Sequence, residues 1–234
     1  MSEHTLLCVQ YLFGRSNMDS ASVFHKPTFD NIPAEKKLKI LSVALTEFSS
    51  KGYENANINI IAKESGVSVG SMYKYFDSKK DLFLTTVNLG VETLEAVLDG
   101  ISSTDCDVME KLERLIRTAI DYSKRQSELI RLYYEIASES NVELIRSLAV
   151  RTETVAAKVY IDAIKQGQKT GEIRSDISPE ISAFLLDNLL MMLQFSYSCE
   201  YYKERFRVFA GDDIFSRDEE AIQGFLKFVK AALK

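Results

Sequence analysis

The sequence predicts an all-α protein with a small helical module near its N-terminus and a larger helical domain behind it. Apolar residues recur at three- and four-residue spacing in one segment after another, and no stretch has the alternation of a strand. The 234 residues include only 10 Gly and 3 Pro, so residues that break helices are scarce. With 46% hydrophobic and 27% charged residues, the chain can bury a core of ordinary globular composition.

The chain is predicted to begin with an extension, residues 1–33, in which Ser, Asn, His and isolated aromatic residues follow no sustained period. We expect this extension to be partly ordered at best, near the segment PTFDNIP. From Ala34 onward, apolar residues recur on one side of a helix, which predicts an amphipathic helix that stops near Gly52. Its apolar residues are Leu38, Leu41, Ala44, Leu45 and Phe48.

Two short helices, at about 58–65 and 69–75, are predicted after Gly52 and are separated by SGVS. Asn57 and Ser68 are suited to cap them, because each side-chain oxygen can accept a hydrogen bond from an amide of the first turn. Ser78, with Asp81 three residues later, resembles a capping box and begins a longer helix. The residues predicted to face inward are Ile58, Ile61, Ala62, Val67, Met72 and Phe76.

A short helix, a turn through Gly66 and a second short helix are the elements of a helix-turn-helix, whose second helix lies in the major groove of DNA. Hydroxyls, aromatic rings and ammonium groups suit phosphate oxygens and base edges, and Gly70 allows a close approach. The amides at the helix starts beside Asn57 and Ser68 suit phosphates as well. The residues predicted to project outward are Ser68, Ser71, Tyr73, Lys74, Tyr75 and Lys79.

Charge is distributed unevenly along the chain. Residues 34–80 carry eight lysines against five carboxylates, a net charge of +3, whereas the whole chain has a net charge of -5 and the remainder therefore -8. A basic module on an acidic body is typical of DNA binding. An excess this small equally fits a plain three-helix core with a solvated lysine face.

The remainder, residues 81–234, is predicted to be helical, with breaks near Gly100, at SESN, at GQKTGEIRSDISPE and at AGDDIFSRDE. Ser178 followed by Pro179 predicts a helix start, since Ser caps helices and Pro is favoured at the first helical position. The segment from Ile181 to Phe195 is apolar on nearly all sides, which predicts burial on two faces.

Common catalytic and metal-binding arrangements lack the residues that they need. The two histidines, His4 and His25, precede the first long helix, so the body has no imidazole for a Ser-His-Asp triad or a histidine metal cluster. Cys8, Cys106 and Cys199 form no C-x-x-C pair, and no phosphate-binding glycine motif occurs. We therefore expect no catalytic residue, no metal site and no cofactor.

No window holds the roughly 20 uninterrupted apolar residues of a membrane span, and TLLCVQYLF lacks the preceding basic residues of a signal peptide. We expect a cytoplasmic protein with no membrane partner. Two other classes stand beside a DNA-binding regulator: an enzyme, and a helical adaptor whose SGVSVGSMYKYF surface binds protein. Binding by an adaptor would respond weakly to salt, whereas a phosphate-binding protein loses affinity steeply as the salt concentration rises.

The elements A-x-x-x-F, G-[YF], I-A-x-x-x-G-V-S, G-[ST]-[LM]-Y-x-Y-F and S-K-x-x-L follow one another between Ala44 and Leu82. This order resembles the DNA-binding domain of the TetR family of bacterial transcriptional regulators. The resemblance covers nearly the whole of ILSVALTEFSSKGYENANINIIAKESGVSVGSMYKYFDSKKDLF. The one departure is Asn57, where the family usually has Thr, and Asn caps a helix at least as well.

The resemblance implies a role for individual residues of the second short helix. Positions that face bases are matched by Val69, Gly70, Tyr73 and Lys74, and positions that bind phosphate by Ser71, Tyr73, Tyr75 and Lys79. Because Val69 can do little beyond contact a thymine methyl group, we expect sparse base readout. Specificity is then expected to depend on the shape of the DNA and on spacing.

For residues 81–234 the resemblance implies a two-fold dimer through the last two long helices and a cavity for a small inducer. FLLDNLLMMLQF and AIQGFLKFVKAAL fit this interface because each has more apolar surface than one partner covers, and they equally fit an internal core. The basic segment YYKERFR fits an anionic head group or a solvated helix end. The residues that fit an acyl or aromatic ligand, or plain core, are Tyr133, Tyr134, Met191, Met192 and Phe195.

The sequence therefore predicts a ligand-responsive transcriptional regulator, with a DNA-binding domain at 34–80 and a ligand-binding and dimerisation domain at 81–234. We expect a repressor that binds a palindromic double-stranded DNA operator as a homodimer and is released by a small apolar or amphipathic inducer. Repression is favoured over activation because an occupied operator blocks polymerase without a further contact surface. The helix that begins at Ser78 is expected to carry the response to the ligand.

Overall fold

The computed structural model of the chain describes residues 24–137 and 142–234. The described residues contain α-helices and one 3-10 turn and no strand, which confirms the all-α fold class. The predicted break at SESN lies outside the described residues. The helices are α1 (Pro27–Asp30), α2 (Ala34–Asn55), α3 (Ile58–Glu64), α4 (Val69–Tyr75), α5 (Lys79–Ser102), α6 (Val108–Arg125), α7 (Ser127–Ala137), α8 (Val142–Thr170), α9 (Pro179–Ser198), α10 (Glu200–Ala210) and α11 (Asp218–Leu233).

These helices divide into two compact units. The first unit comprises the described residues up to Thr93 and those of Arg131–Ile145. The second unit comprises Leu94–Ile130 and Arg146–Lys234. Because α5 begins in the first unit and ends in the second, the chain passes from one unit to the other within a single helix.

One face of α2 is buried in the first unit, as the apolar spacing of this helix predicts, and the first part of α5 contributes a similar number of buried apolar residues. Helix α2 loses its regular geometry at Gly52, close to where the sequence predicts its end. Gly52 has a φ of 70°, in the left-handed region that glycine adopts at little cost. A Cβ atom there would lie 3.0 Å from Glu135 Oε2 and would crowd this carboxylate. The buried residues of α2 are Leu38, Ile40, Leu41, Ala44, Leu45, Phe48 and Ser49.

The core of the second unit joins one face each of α6, α8, α9 and α11. At its edge, Arg117 on α6 pairs with both carboxylate oxygens of Glu219 on α11, at 2.7 and 2.8 Å. Hydrogen bonds from Arg117 lower the pKa of Glu219 to about 2. The buried residues of α8, α9 and α11 in this core are Ala156, Tyr160, Ile164, Ala183, Leu186, Leu190, Tyr197, Ile222, Leu226, Val229 and Leu233.

Helix α9 begins as predicted but is buried differently. Ser178 Oγ accepts a hydrogen bond from the Ile181 amide at 3.2 Å, and Pro179 takes the first helical position. The prediction of burial on two faces is wrong for the first half of α9 in the single chain, where only one face packs into the core, whereas four consecutive residues at its end, Phe195 to Ser198, are all buried. The apolar residues on its other face are Ile181, Phe184, Leu185 and Leu189, all exposed. An uncovered apolar face of this extent is typical of a surface that a partner covers.

Candidate DNA-binding surface

The helix-turn-helix is formed by α3 and α4, and each helix has the cap that the sequence predicts. Asn57 Oδ1 accepts a hydrogen bond from the Asn59 amide at 2.9 Å. Ser68 Oγ accepts one from the Ser71 amide at 3.0 Å and lies 2.9 Å from the Ser71 hydroxyl. The turn between the helices passes through Gly66, whose φ is 73°. The local polar residues therefore fix both helix starts.

The inward face of this motif is mostly as predicted. Ile61, Ala62, Met72 and Phe76 are buried, whereas the predicted inward residues Ile58 and Val67 are only half-buried. Helix α3 contacts both α2 and α4. The buried side chains fix α4 against the rest of the motif, so its outward side chains project from a packed helix and not from a loop.

The outward face of α4 leaves most of the predicted DNA-binding side chains accessible. Tyr73 is 48% exposed, and Val69, Gly70 and Lys74 are exposed beside it. No side chain fills the space next to Gly70, since the nearest atom to an added Cβ would be Ser68 Oγ at 3.9 Å. Another molecule can therefore approach the backbone of α4 closely at this position.

Tyr75 departs from the sequence prediction. Its side chain is 8% exposed, so the prediction that it projects outward is wrong. The Tyr75 ring lies 5.8 Å from the ring of Phe29 on α1 and 6.5 Å from that of Phe76. The Lys36 ammonium group lies 5.8 Å from the centre of the same ring. Apolar burial beside α1 outweighs the exposure of its hydroxyl.

Lys79 is already engaged within the first unit. Its Nζ donates hydrogen bonds to the carbonyl oxygens of Glu54 at 2.9 Å and Ala56 at 3.3 Å. The same ammonium group lies 4.9 Å from the centre of the Tyr53 ring. Lys79 therefore closes the C-terminal end of α2, where carbonyl groups lack partners within the helix. Its sequence-predicted role toward phosphate stays a prediction.

Residues before α2 contribute to this surface in a way that sequence reasoning missed. Lys26 Nζ donates to the Tyr73 carbonyl oxygen at 2.9 Å, and the Thr28 hydroxyl donates to that of Lys74. Lys26 Nζ also pairs with the Asp77 carboxylate at 2.6 Å. Pro at the first position of PTFD was a visible signal of a helix start in this segment. The segment around α1 thus supports the C-terminal end of α4.

The predicted ligand-binding residues fall into two groups. Tyr133 and Tyr134 are half-buried on α7, in the first unit. Met191 and Met192 are half-buried on α9, in the second unit, and Phe195 is buried there with its ring 5.4 Å from that of Tyr202. The five side chains therefore do not form one cluster within either unit.

The basic segment YYKERFR lies on α10 and is largely neutralised by its own helix. Lys203 pairs with Glu200 at 2.7 Å, and Arg207 pairs with Glu204. The Arg205 guanidinium group lies 5.1 Å from the centre of the Phe209 ring. These local pairs favour the solvated helix end over a site for an anionic head group.

The described residues hold neither a cluster of metal ligands nor a membrane-spanning helix. No group of three or more His, Cys, Asp or Glu side chains converges in this part of the chain. No helix within it combines the length and the apolar character that a membrane span requires.

Comparison with known proteins points to one class of regulator. Residues 40–86 match the family model described as bacterial regulatory proteins, tetR family. The chain is 29% identical over 154 residues to the HTH-type transcriptional repressor SCO4008 of Streptomyces coelicolor. That alignment covers 66% of this chain and 76% of the relative.

Solved structures share the fold. FadR from Bacillus subtilis, in complex with stearoyl-CoA, superposes with a TM-score of 0.66 at 15% identity, over 84% of this chain and 99% of FadR. AibR, in complex with isovaleryl coenzyme A and operator DNA, superposes with a TM-score of 0.56 at 23% identity, over 68% of this chain and 83% of AibR. The shared architecture is a helix-turn-helix domain followed by a larger helical domain.

Proposed function

The chain belongs to the TetR family of bacterial transcriptional regulators, and from this premise we propose that it is a ligand-responsive repressor. In this proposal, residues 34–80 bind a palindromic double-stranded operator, and residues 81–234 bind the ligand and form a homodimer. A small apolar or amphipathic inducer releases the protein from DNA. The protein acts in the cytoplasm by binding, without catalysis and without a cofactor.

The observation that carries the DNA-binding part is the uncovered face of α4. Tyr73 and Lys74 present a hydroxyl and an ammonium group there, and Gly70 leaves the backbone accessible. The hydroxyl of Ser68 stands at the start of the same helix. A short helix with this face suits a major groove, where side chains near the helix N-terminus contact bases and phosphates. Val69 still implies sparse base readout.

The dimer is supported by apolar surface on α9 and α11. Phe184 on α9 is 63% exposed and Phe228 on α11 is 65% exposed, although both helices also contribute to the core of the second unit. Two such helices from each protomer form a four-helix bundle around a two-fold axis. The symmetry matters because two recognition helices must reach major grooves about 34–36 Å apart.

Release by a ligand follows from a change in this spacing. Helix α5 is continuous from the first unit to the second, so a ligand that favours one conformation of the second unit can bias the position of α4. The similarity to SCO4008, a transcriptional repressor, supports repression over activation. The CoA esters bound to FadR and AibR support an amphipathic ligand class for this fold.

The test is selection of operator DNA from a random-sequence pool by the purified full chain. We expect enrichment of one inverted repeat. Tyr73→Ala and Lys74→Ala should each weaken binding to this repeat, because both side chains are exposed and their loss leaves the fold intact. Lys158→Ala removes the same charge from an exposed position on α8, outside the helices assigned to the dimer interface, and should leave affinity unchanged.

The adaptor is the alternative that this experiment separates from a regulator. A repressor should lose affinity for the selected repeat with a log-log salt slope of about −0.9 per neutralised phosphate. Enrichment of no sequence, or enrichment indifferent to both α4 substitutions, would contradict the proposal and favour an adaptor.

A further inference from the structure

Lys26 places a positive charge beside α4, although it precedes the predicted DNA-binding domain at 34–80. Its Nζ donates to the carbonyl oxygen of Tyr73 at 2.9 Å, and its backbone amide donates to that of Tyr75 at 2.8 Å. The ammonium group is therefore one hydrogen bond away from the helix whose exposed side chains are proposed to contact DNA. The Lys26 side chain is 35% exposed, so another molecule can reach it.

The ammonium group of Lys26 has one donor left for such a molecule. An ammonium group has three N–H donors and no acceptor. One donor of Lys26 reaches the Tyr73 carbonyl oxygen, and a second reaches the Asp77 carboxylate at 2.6 Å. Within the described part of the chain, no acceptor engages the third. A partly exposed ammonium group with a free donor suits an anionic oxygen from outside the chain.

The carboxylate of Asp77 makes a cation necessary at this end of α4. Asp77 follows the last residue of α4 by two positions, and its side chain is 77% exposed. An unpaired carboxylate beside a surface that receives phosphates would repel them. Lys26 neutralises this charge at hydrogen-bond distance. The exposed ammonium group of Lys74 adds further positive charge to the same helix.

The burial of Tyr75 indicates which contact Lys26 replaces. The resemblance to TetR regulators implies a phosphate contact at the position of Tyr75, but this side chain is only 8% exposed. The ring of Phe29 on α1 lies 5.8 Å from the Tyr75 ring, and Lys26 directly precedes α1. An anion that approaches this end of α4 therefore finds the Tyr75 side chain covered and the Lys26 ammonium group accessible.

We propose that the operator-binding surface extends beyond residues 34–80 to Lys26, whose ammonium group binds a phosphate of the operator backbone while it neutralises Asp77. This inference rests on the proposed function, because it adds a residue to the same DNA-binding site. Phosphate contacts fix the register and orientation of a protein on the duplex and carry no sequence information. Lys26 thus strengthens binding without adding to the sparse base readout that Val69 implies.

The test is the salt dependence of DNA binding by the full-length protein, measured by fluorescence anisotropy on the selected inverted repeat and on a duplex of unrelated sequence. Lys26→Met removes the charge and keeps the apolar stem. Its log-log salt slope should be smaller in magnitude by about 0.9 for each bound protomer on both duplexes, because phosphate contacts do not depend on sequence. Lys26→Arg should keep the slope. If Lys26→Met does not fold, Lys26→Gln removes the charge and keeps amide donors.

Two further variants separate a phosphate contact from the structural roles of Lys26. Thr28→Val removes the hydroxyl that donates to the Lys74 carbonyl oxygen, so it should weaken the support of α4 without a change of charge and keep the salt slope. The double variant Lys26→Met/Asp77→Asn leaves no uncompensated carboxylate, and its slope should stay about 0.9 per protomer below that of the wild type. A wild-type slope in Lys26→Met or in the double variant would overturn the proposal.

The two duplexes keep this proposal separate from the proposed function. A wild-type slope of Lys26→Met on both duplexes, with the preference for the inverted repeat intact, rejects the Lys26 contact and keeps the repressor. A smaller slope on the unrelated duplex, with no repeat enriched from the random pool, keeps the Lys26 contact and rejects the repressor.

Discussion

The backbone amide of Lys26 donates a 2.8 Å hydrogen bond to the carbonyl oxygen of Tyr75, at the C-terminal end of α4. The Lys26 ammonium group and the Thr28 hydroxyl donate to the two preceding carbonyl groups, those of Tyr73 and Lys74. The last carbonyl groups of a helix have no partners within it, so this segment acts as a cap supplied from elsewhere in the chain. The position of α4 therefore depends on residues that precede α2.

Phe29 anchors this cap, and its loss should affect both stability and DNA binding. The Phe29 ring is 2% exposed and lies 4.9 Å from the ring of Phe76. Phe29→Ala should lower the free energy of unfolding by about 3–5 kcal/mol, the usual cost of truncating a buried Phe. Urea unfolding measures this loss, and Phe29→Leu should show a smaller one. An unchanged unfolding midpoint for Phe29→Ala would mean that α1 does not pack on α4.

Substitutions of Lys79 and Lys74 should distinguish an effect on stability from an effect on DNA binding. Lys79→Met should lower the free energy of unfolding by about 1 kcal/mol, because the Glu54 and Ala56 carbonyl groups lose a charged donor. Lys74→Met should leave stability unchanged, since its ammonium group is exposed. Each variant should reduce the salt slope of operator binding by about 0.9 if its ammonium group meets a phosphate. A Lys79 variant with full stability would contradict the capping role.

The Arg117–Glu219 pair predicts a pH-dependent contribution to stability. Because the pKa of Glu219 falls from 4.5 to about 2 in the folded chain, the contribution is fully present above about pH 4.5 and is lost as the pH falls toward 2. Glu219→Gln should therefore lower the melting temperature near neutral pH, and the difference from wild type should shrink in acid. Glu95→Gln, at an exposed position, is the control. A difference that stays constant with pH would argue against the pair.

The raised pKa of Asp187 predicts the opposite dependence of stability on pH. Its pKa is raised from 3.8 to about 6 by burial and by Glu153, so the folded chain holds the proton more tightly than the unfolded chain. The free energy of unfolding should fall as the pH rises across that interval. Asp187→Asn should stabilise the protein above about pH 6 by on the order of 1 kcal/mol, a value reduced for partial exposure, and bring no gain near pH 4. Thermal unfolding at both pH values checks this, and destabilisation at neutral pH would contradict it.

The exposed side chain of Phe184 allows a test of the proposed dimer. Phe184→Glu places a charge on the exposed apolar face of α9 and should convert the dimer to a monomer in analytical ultracentrifugation. Operator affinity should fall with it, because one protomer engages only one half-site. Val150→Glu, on α8 and 66% exposed against 63% for Phe184, should leave the dimer intact. If the Phe184→Glu protein stays dimeric, the proposal that α9 forms the dimer interface is contradicted.

Local signals in the sequence predicted local structure well. The caps at Asn57, Ser68 and Ser178 are formed as predicted, because a cap depends on residues within one turn of the helix start. The all-α class followed equally from apolar spacing. The arrangement of α3 and α4 followed from the turn and from the inward apolar residues.

Contacts between distant residues could not be predicted in this way. Tyr75 is buried because α1 lies against it, and nothing in the spacing of α4 reveals that neighbour. Lys79 looks like a solvent-exposed lysine until Glu54 is known to end α2 beside it. Asp187 was visible as an acidic residue within the most apolar segment, but its partial burial depends on how α9 packs within the second unit.

The most direct test of a dimeric operator-binding repressor is the affinity for the selected inverted repeat against a repeat lengthened by half a helical turn, about five base pairs. The insertion places the second half-site on the opposite side of the duplex and leaves every base of both half-sites unchanged. A dimer that holds two α4 helices in fixed relation should lose most of its affinity for the lengthened repeat. Equal affinity for both repeats would contradict the account, because each protomer would then bind DNA independently of its partner.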